Sequence, residues 1–479
     1  MNTKAVAIGA VAAVAVAAGG YVIADRTADA RAHSLLERHA ASLGTGEHFT
    51  WAAVDASPLG GSVAIDGLTY SRADGYQARS ATVRASGLSE AGVETARAED
   101  VTISLPGSGA VTIAAMDIAA VGPVADLPPD SVFAGERLPA VIGGLTAKSI
   151  AVSDLTFTAE DGSVRATVKG MGVDDVVNGR YGRIALSGLE LTETTAEAGD
   201  GGGGLALSLT DLSLSGLDLS SLRGDMTAIE AAAGDAFGLT ELRQGRLTLT
   251  GFSPDGPISL DGLSITDLER IEGTVVSSRL RMDHLTVPAS LLAPEAPLLA
   301  MALEALDRKT LDLSVDIAQR YIAEGGALTV GPVSVRGEGL GEAVLKVDFA
   351  GVPLVELARA MDADDLEAAM AMAGNIAFVG ATLTYSDDRL ADVLVDQAAG
   401  GDRPGFAAAA AEMVTLNAGD QVSPADVAMV ADAVRAFLVG TTAFSISLTP
   451  QQPLLLPVVM ESAETGGLTD LLTLKVEGS

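Results

Sequence analysis

The sequence predicts a mainly β protein with helical additions (α+β class). We expect a long, twisted antiparallel sheet of repeated amphipathic strands, partly covered by helices, after one N-terminal transmembrane helix. Three observations lead to this prediction. An uncharged stretch of 20 residues lies near the N-terminus, an alternation of apolar and polar residues returns throughout the chain from residue 60, and Ala-rich segments with helical spacing interrupt that alternation.

Composition excludes several classes of function. The 479 residues include 63 Asp and Glu but only 30 Lys and Arg, a formal net charge of -33, which argues against a nucleic-acid partner. Cysteine is absent, which excludes disulfides, thiolate catalysis and Cys-ligated metals. The hydrophobic fraction of 48% is too high for a disordered chain, while the 4% of aromatic residues predicts an aliphatic core.

The N-terminal segment reads as a membrane anchor. Residues 5–24, AVAIGAVAAVAVAAGGYVIA, carry no charge and are long enough to span a bilayer. Lys4 precedes them and the charges that follow nearly cancel, which favours a cytoplasmic N-terminus and an exported body. A cleaved signal peptide is the alternative, with small residues available at Ala15, Ala17 and Ala18. We therefore assign residues 1–24 to an anchor or signal sequence and favour the uncleaved anchor.

Four further regions follow the anchor. We predict an amphipathic helix and connector over 25–59, a body of repeated strands with short helical insertions over 60–352, a helix-rich region with a strand pair over 353–440, and a C-terminal strand and tail over 441–479. The helix itself is expected at 25–43. Within it His33 and Glu37 share a face, but without a third ligand nearby a solvated surface is the better interpretation.

Alternation with a period of two recurs along the body and predicts its strands. The stretches are 61–71, 96–106, 111–122, 145–162, 182–194, 205–222, 245–273, 278–287, 309–317, 326–352, 375–386 and 441–450. Helical composition occurs at 226–243, 288–307, 353–373, 387–415 and 424–438. The last of these has a helix start at Ser423-Pro424 and a stop at Gly440.

A local unit repeats within the strands: apolar, any residue, apolar, a small polar pair, then Leu, any residue, apolar. Instances are Asp66-Gly67-Leu68, Ser153-Asp154-Leu155, Ser187-Gly188-Leu189 and Asp261-Gly262-Leu263. Because glycine accommodates bulges and tight bends, we expect this pair to bend a long strand.

Signals of catalysis are weak, and we expect neither an enzyme nor a cofactor or metal site. Residues 199–204 match G-x-G-x-x-G by letter, but no helix follows to receive a phosphate, so a hairpin tip or linker is expected. GGLTAKS at 143–149 has Ala147 where a phosphate loop needs Gly. Asp362, Asp364 and Asp365 lack the Gly and Glu of a calcium loop and suit a helix start. His33, His39 and His48 precede the predicted strand body and His284 stands alone, so the sequence indicates no His-based triad or zinc cluster.

The predicted sheet has one face of Leu, Ile and Val, which must be covered, close on itself or accept an apolar ligand. The lipid-groove candidates on that face are Ile65, Leu68, Ile150, Val152, Leu155, Ile184, Leu186, Leu189, Leu191, Leu247, Leu249, Leu260, Leu263 and Ile265.

The stretches LTAKSIAVSDLTFT, GRIALSGLELTET and ISLDGLSITDLE, with the N-terminal segment, resemble the AsmA-like group of bacterial envelope proteins and the related YdgA/YihF-type proteins. The resemblance is one of pattern over residues 1 to about 350. It implies a single-pass inner-membrane protein of a Gram-negative bacterium, with a twisted β groove in the periplasm and a role in glycerophospholipid transfer or outer-membrane homeostasis. It implies no catalytic residues.

The expected function is therefore non-catalytic handling of lipid, or support of the envelope, by a membrane-anchored periplasmic protein. The expected partners are the inner membrane, through residues 5–24, together with phospholipid and other envelope proteins. The alternative is an envelope scaffold with a sealed core and no lipid ligand. A surface hydrolase would need convergent polar side chains, and the sequence singles out none.

Overall fold

The computed structural model describes residues 28–57, 61–87, 93–121, 146–177, 180–193, 204–218, 238–417, 423–440, 442–465 and 471–478. The chain divides into two compact units, Met1–Gly251 (unit 1) and Phe252–Ser479 (unit 2). Both are built mainly from antiparallel strands, as the sequence predicts. The expected anchor at residues 5–24 and most of the run at 199–204 lie outside the described residues. Among the described residues, no helix is long and apolar enough to cross a membrane.

The described residues of unit 1 form one helix followed by strands. The helix is α1 (Ala28–Ser42). The strands are β1 (Glu47–Thr50), β2 (Ala53–Ser57), β3 (Ser62–Arg72), β4 (Gln77–Ser86), β5 (Val93–Leu105), β6 (Gly109–Val121), β7 (Thr146–Thr158), β8 (Val164–Val177), β9 (Arg180–Glu193), β10 (Ala206–Asp218), β11 (Glu241–Gln244) and β12 (Leu247–Thr250).

The strands of unit 1 pair in chain order. Each strand from β3 to β10 is antiparallel to the next, β1 and β2 both pair with β3, and β11 and β12 both pair with β10. Ala32 and Leu36 of α1 are buried in the same core cluster as Ile65 and Ile103. This helix, expected at 25–43, therefore contributes its apolar side chains to the core near the first strands.

A row of left-handed residues crosses unit 1 perpendicular to its strands. Gly67, Asp100, Asp154 and Gly188 have φ between 50° and 62° and lie on β3, β5, β7 and β9. Each lies between two paired residues; for example, Ser187 pairs with Gly170 and Leu189 pairs with Val168. The register stays continuous across the row, so β3, β5, β7 and β9 bend at the same level. Gly and Asp are among the residues that adopt this conformation most readily.

A second row of left-handed residues lies on the intervening strands. Ala120, Asp175 and Gly216 have φ of 48°, 52° and 74° on β6, β8 and β10. We call the two sets the kink rows.

The kink rows explain the repeated polar pair of the sequence. A regular strand would turn every second residue to the same face, but β3 buries Val63, Ile65, Leu68 and Tyr70, with a step of three across Asp66-Gly67. The bend thus changes the phase of the alternation and keeps the aliphatic side chains on one face. Three of the four predicted pairs have their second residue in the left-handed conformation: Gly67, Asp154 and Gly188.

Unit 2 alternates strands and helices. Its strands are β13 (Ile258–Ile271), β14 (Thr274–Pro288), β15 (Thr310–Ile322), β16 (Ala327–Gly337), β17 (Gly341–Ala350), β18 (Ala377–Ser386), β19 (Ala443–Pro450), β20 (Leu454–Leu455) and β21 (Leu472–Gly478). Its helices are α2 (Ala289–Leu292), α3 (Pro297–Ala305), α4 (Leu354–Asp362), α5 (Leu366–Ala373), α6 (Leu390–Ala399), α7 (Arg403–Asn417), α8 (Pro424–Val439) and α9 (Leu456–Thr465).

The strands of unit 2 form an antiparallel order β13-β14-β15-β16-β17-β18-β19-β21, and β20 pairs with the start of β18. Bends also occur here, with register shifts near left-handed residues such as Asp267, His284 and Gly331.

Helix boundaries follow local chemistry. Ser423 caps α8 by accepting a hydrogen bond from the Asp426 amide at 3.1 Å, Pro424 is the first helical residue, and Gly440 ends the helix, as predicted. Asp365 accepts a bond from the Ala368 amide at 3.0 Å and so starts α5, which confirms a helix-capping role for this acidic residue. The predicted helix at 387–415 is two helices, because Gly400 and Gly401 take positive φ.

Several strands escape the sequence prediction. β4 and β8 are absent from it, since β4 buries small residues such as Ala78 and Ser80 that contrast little with their neighbours, and β8 changes phase twice. The helix predicted at 226–243 is wrong at its end, where Glu241–Gln244 is strand β11 and Leu242 pairs with Leu214; residues 219–237 are outside the described part. The C-terminal region adds β20, α9 and β21 to the single strand expected there.

We predict that Gly188→Ala destabilises the protein more than Gly162→Ala does. Both glycines have positive φ, so each substitution costs about 1 kcal/mol in backbone strain. A Cβ at 188 would also lie 2.7–3.0 Å from the Cδ, Cγ and Cβ atoms of Lys169, so that this side chain must shift at an additional cost, whereas nothing lies within 4 Å at 162. Urea unfolding measures the difference. Equal losses at the two positions would contradict the close approach of β8 and β9 at the kink row.

Candidate functional site

The apolar face of unit 1 is built from ladders of directly paired side chains. One ladder begins in β3 and crosses eight strands through consecutive antiparallel pairs. Its members are Ile65, Val83, Ala98, Met116, Val152, Met171, Leu186 and Leu212. Parallel ladders flank it, among them Ile103, Val111, Phe157, Ala166, Leu191, Leu207 and Leu249. The kink rows keep these ladders continuous, because the bends keep the inward-facing side chains of neighbouring strands aligned.

Burial along this face falls from the first strands to the last. In the first ladder Ile65 is 2% exposed and Val152 is 7% exposed, but Met171 on the next strand is 40% exposed. Leu191, further along the flanking ladder, is 36% exposed, whereas Ile103 at its start is 1% exposed. The face is therefore core at β3–β6, whereas on β8 and β9 the accessible Met171 and Leu191 occur on the same strands as the buried Val176 and Tyr181.

The predicted groove residues fall on both parts of this gradient. Ile65, Leu68 and Val152 are buried in the core cluster of unit 1, and Ile150, Leu155 and Ile184 pack against it half-buried. Leu186, Leu189, Leu247 and Leu249 are also half-buried, and Leu191 is the one exposed candidate. In unit 2, Leu260, Leu263 and Ile265 are half-buried on β13.

Unit 2 carries one long ladder of its own, which we call the aliphatic strip. It crosses eight strands through consecutive pairs and consists of Ile265, Leu280, Ile317, Val333, Leu345, Leu383, Ile446 and Val476. Ile317, Leu345 and Leu383 each expose 37–38% of their surface. The strip is thus a row of aliphatic side chains that is partly exposed at the centre of the sheet.

Helices cover the sheet of unit 2 at both ends of the strip's strands. At one end Leu303 of α3 packs with Leu311 and Leu340, and Phe437 of α8 lies 5.2 Å from the ring of Phe444. At the other end Phe378, Leu454 and Leu472 form a cluster, with Leu456 and Val459 of α9 packed against it. On β18 the order is Phe378, Leu383, Tyr385, so the strip runs between the two covers.

The opposite face of this sheet is polar and internally hydrogen-bonded. Arg279 donates to Asp316 across β14 and β15 at 2.9 Å, and Ser334 donates to Glu342 at 2.6 Å. The hydrogen bond from Arg279 lowers the pKa of the Asp316 carboxyl. At the edge of the apolar face, burial and a hydrogen bond to Asp387 raise the pKa of the Tyr385 phenol, which therefore stays neutral. Charge is thus kept off the strip.

Other polar constellations in the described residues are small. His284 Nδ1 lies 3.0 Å from Asp312, at one of the left-handed bends. His33 lies against Trp51, with 5.6 Å between ring centroids, and Glu37 is exposed. No group of three or more metal-ligating side chains occurs within the described part of the chain.

The sequence candidates stop at Ile265 and omit most of the strip. The sequence does predict the strands that carry it, since KTLDLSVDI, GALTVGPVSV and NIAFVGATLTYS all alternate with a period of two. Periodicity alone does not tell which strand centres are left uncovered, because that depends on helices from distant parts of the chain.

Comparison with known families finds one match in the C-terminal part. A family described as "Uncharacterized protein" matches residues 334–479, less than a third of the chain. The match contains Leu345, Leu383, Ile446 and Val476 of the strip together with α4–α9. No curated protein matches the chain. The AsmA-like resemblance is not confirmed by this match and stays a prediction.

We predict that Leu345→Ala and Leu383→Ala each cost about 1 kcal/mol or less, because their side chains keep contact with water in the folded state. Leu303→Ala, at a side chain only 1% exposed in the same unit, is the matched comparison and should cost about 2–5 kcal/mol. Urea unfolding of the three variants gives the values. Equal losses at all three positions would mean that the strip is sealed in the folded protein.

Proposed function

We propose that the protein is a membrane-anchored, periplasmic β-groove protein of the AsmA-like type, which handles phospholipid or supports the envelope without catalysing a reaction. The observation that carries the proposal is the aliphatic strip, with Ile317, Leu345 and Leu383 more than a third exposed between helical covers. Residues 5–24 would hold the body at the inner membrane with the N-terminus in the cytoplasm.

The chemistry of the strip suits acyl chains. Its eight members are Ile, Leu and Val, with no ring, charge or hydroxyl among them. Sugars or bases would need polar partners or aromatic stacking, so a flexible hydrocarbon is the better match.

The length of the strip also suits an acyl chain. Seven spacings of about 4.8 Å give roughly 34 Å across the eight strands. One leaflet of a bilayer core is about 15 Å thick, which is the reach of one acyl chain along the membrane normal. A chain lying across the strands therefore fits within the strip, and the accessible part of the unit 1 face offers a second surface of the same kind.

A scaffold without a lipid ligand is the second candidate. It is favoured by the tight burial of the unit 1 face at β3–β6, where Ile65, Ile103 and Ile113 are no more than 2% exposed. In that case the accessible strands would contact another envelope protein.

The decisive experiment places a photocrosslinking amino acid in the full-length chain in living cells. We expect benzoylphenylalanine at 345 or 383 to yield adducts with phospholipid acyl chains, identified by mass spectrometry of the adducted peptide, because both positions face the strip.

The matched controls are positions 344 and 384. Val344 and Thr384 pair directly on the opposite face of the same two strands, and Thr384 donates a hydrogen bond to Ser445 there. Lipid adducts at 345 and 383 but not at 344 and 384 support the groove. Protein adducts alone at the strip positions would favour the scaffold, and equal lipid labelling of both faces would refute a specific groove.

A further inference from the structure

A second exposed apolar surface of unit 2 lies on the helices α4 and α5. Met361 lies in the last turn of α4, and Leu366 and Met370 lie one turn apart on α5, with 67%, 71% and 68% of their surfaces exposed. We call these three side chains the methionine patch. Val355, Ala360 and Ala369 are the buried residues of the same helices and hold them to the unit.

The exposed apolar surface continues toward α9. A Cβ at Gly374, which ends α5, would lie 3.9 Å from Pro457 in the first turn of α9, and the Leu456 amide donates to the Ile376 carbonyl at 2.8 Å. The two helices therefore leave the same end of the sheet. Leu455 and Met460 beside this junction are 46% and 64% exposed.

The segment that carries the methionine patch is rich in exposed carboxylates. Between residues 352 and 374 the acidic side chains are Glu356, Asp362, Asp364, Asp365 and Glu367, all exposed. Arg359 is the one basic residue in that segment, and its guanidinium forms an ion pair with Glu272. Within this segment five carboxylates stand against one paired guanidinium, and we call these carboxylates the acidic rim of the patch.

We propose that the methionine patch binds a cationic amphipathic helix of a partner protein. Methionine is flexible and polarizable, and it fits apolar side chains of varied shape. An amphipathic helix places its apolar residues in a stripe at spacings of three and four, and Leu366 and Met370 present a stripe of the same period. Lys or Arg beside the partner's stripe would face the carboxylates of the rim, which raises the association rate and fixes orientation.

The acidic rim also argues against a lipid bilayer as the occupant of the patch. An anionic bilayer would be repelled by five exposed carboxylates around the patch, whereas a cationic helix is attracted. The inference does not rest on lipid binding, because the patch lies on helices outside the strip.

The test uses the full-length chain in phosphatidylcholine nanodiscs and a photoreactive 14-residue Leu/Lys peptide, LKKLLKLLKKLLKL, as the probe. The triple variant Met361→Gln/Leu366→Gln/Met370→Gln should weaken binding at least tenfold. Asp364→Asn/Glu367→Gln should weaken it less and reduce its dependence on salt. Met301→Gln, at a methionine 55% exposed on α3, is the matched control and should bind as the unaltered chain does. Crosslinks should map to residues 361–370.

Several results would overturn the inference. The unaltered chain could fail to bind the peptide, or the triple variant could bind it equally well. Crosslinks could spread over the acidic surface, or the chain could bind phosphatidylglycerol vesicles more strongly than the peptide. Binding abolished by Leu345→Ala/Leu383→Ala would assign the peptide to the strip and would also refute it. The melting temperature should not change in the triple variant, since all three side chains are exposed; a large fall would show that they belong to the core.

Discussion

The structure depends on keeping aliphatic side chains on one face of strands that are up to 15 residues long. In an unbent strand, successive side chains point to opposite faces of the sheet. A shift of one residue therefore moves all the hydrophobic side chains that follow it to the other face. In unit 1 the bends at Gly67, Asp100, Asp154 and Gly188 occur at one level in alternate strands. Neighbours therefore change phase together, the ladders stay continuous, and a chain with few aromatic rings can assemble a broad apolar surface.

Burial then divides this surface into core and accessible parts. In unit 1, α1 and the first strands bury Ile65 and its neighbours, while Met171 and Leu191 stay accessible. In unit 2 the helices pack at the strand ends and leave Leu345 and Leu383 between them. Aliphatic side chains of the same kind are thus buried in one place and partly exposed in another, according to the elements that cover them.

Much of the fold could be predicted from the sequence, because period-two alternation and helix caps are local signals. Strand β3 and the start of α8 at Ser423 are confirmed on this basis. β4 could not be found, since Ala and Ser on its inner face give no contrast with the outer face. The residues of the strip lie in strands that the sequence predicts. Their exposure depends on helices from distant parts of the chain. The left-handed residues Asp100 and Asp154 mark points at which the alternation of inward and outward side chains shifts along the strand, and the apolar pattern alone does not reveal such a shift.

The central claim is that the aliphatic strip is open in the folded protein and holds hydrocarbon. An experimental density map of the full-length protein, purified without added lipid, tests this most directly. The account predicts continuous tubular density over Ile317, Leu345 and Leu383, between the two helical covers. A segment of the chain itself packed on these three side chains, leaving no space above them, would contradict it.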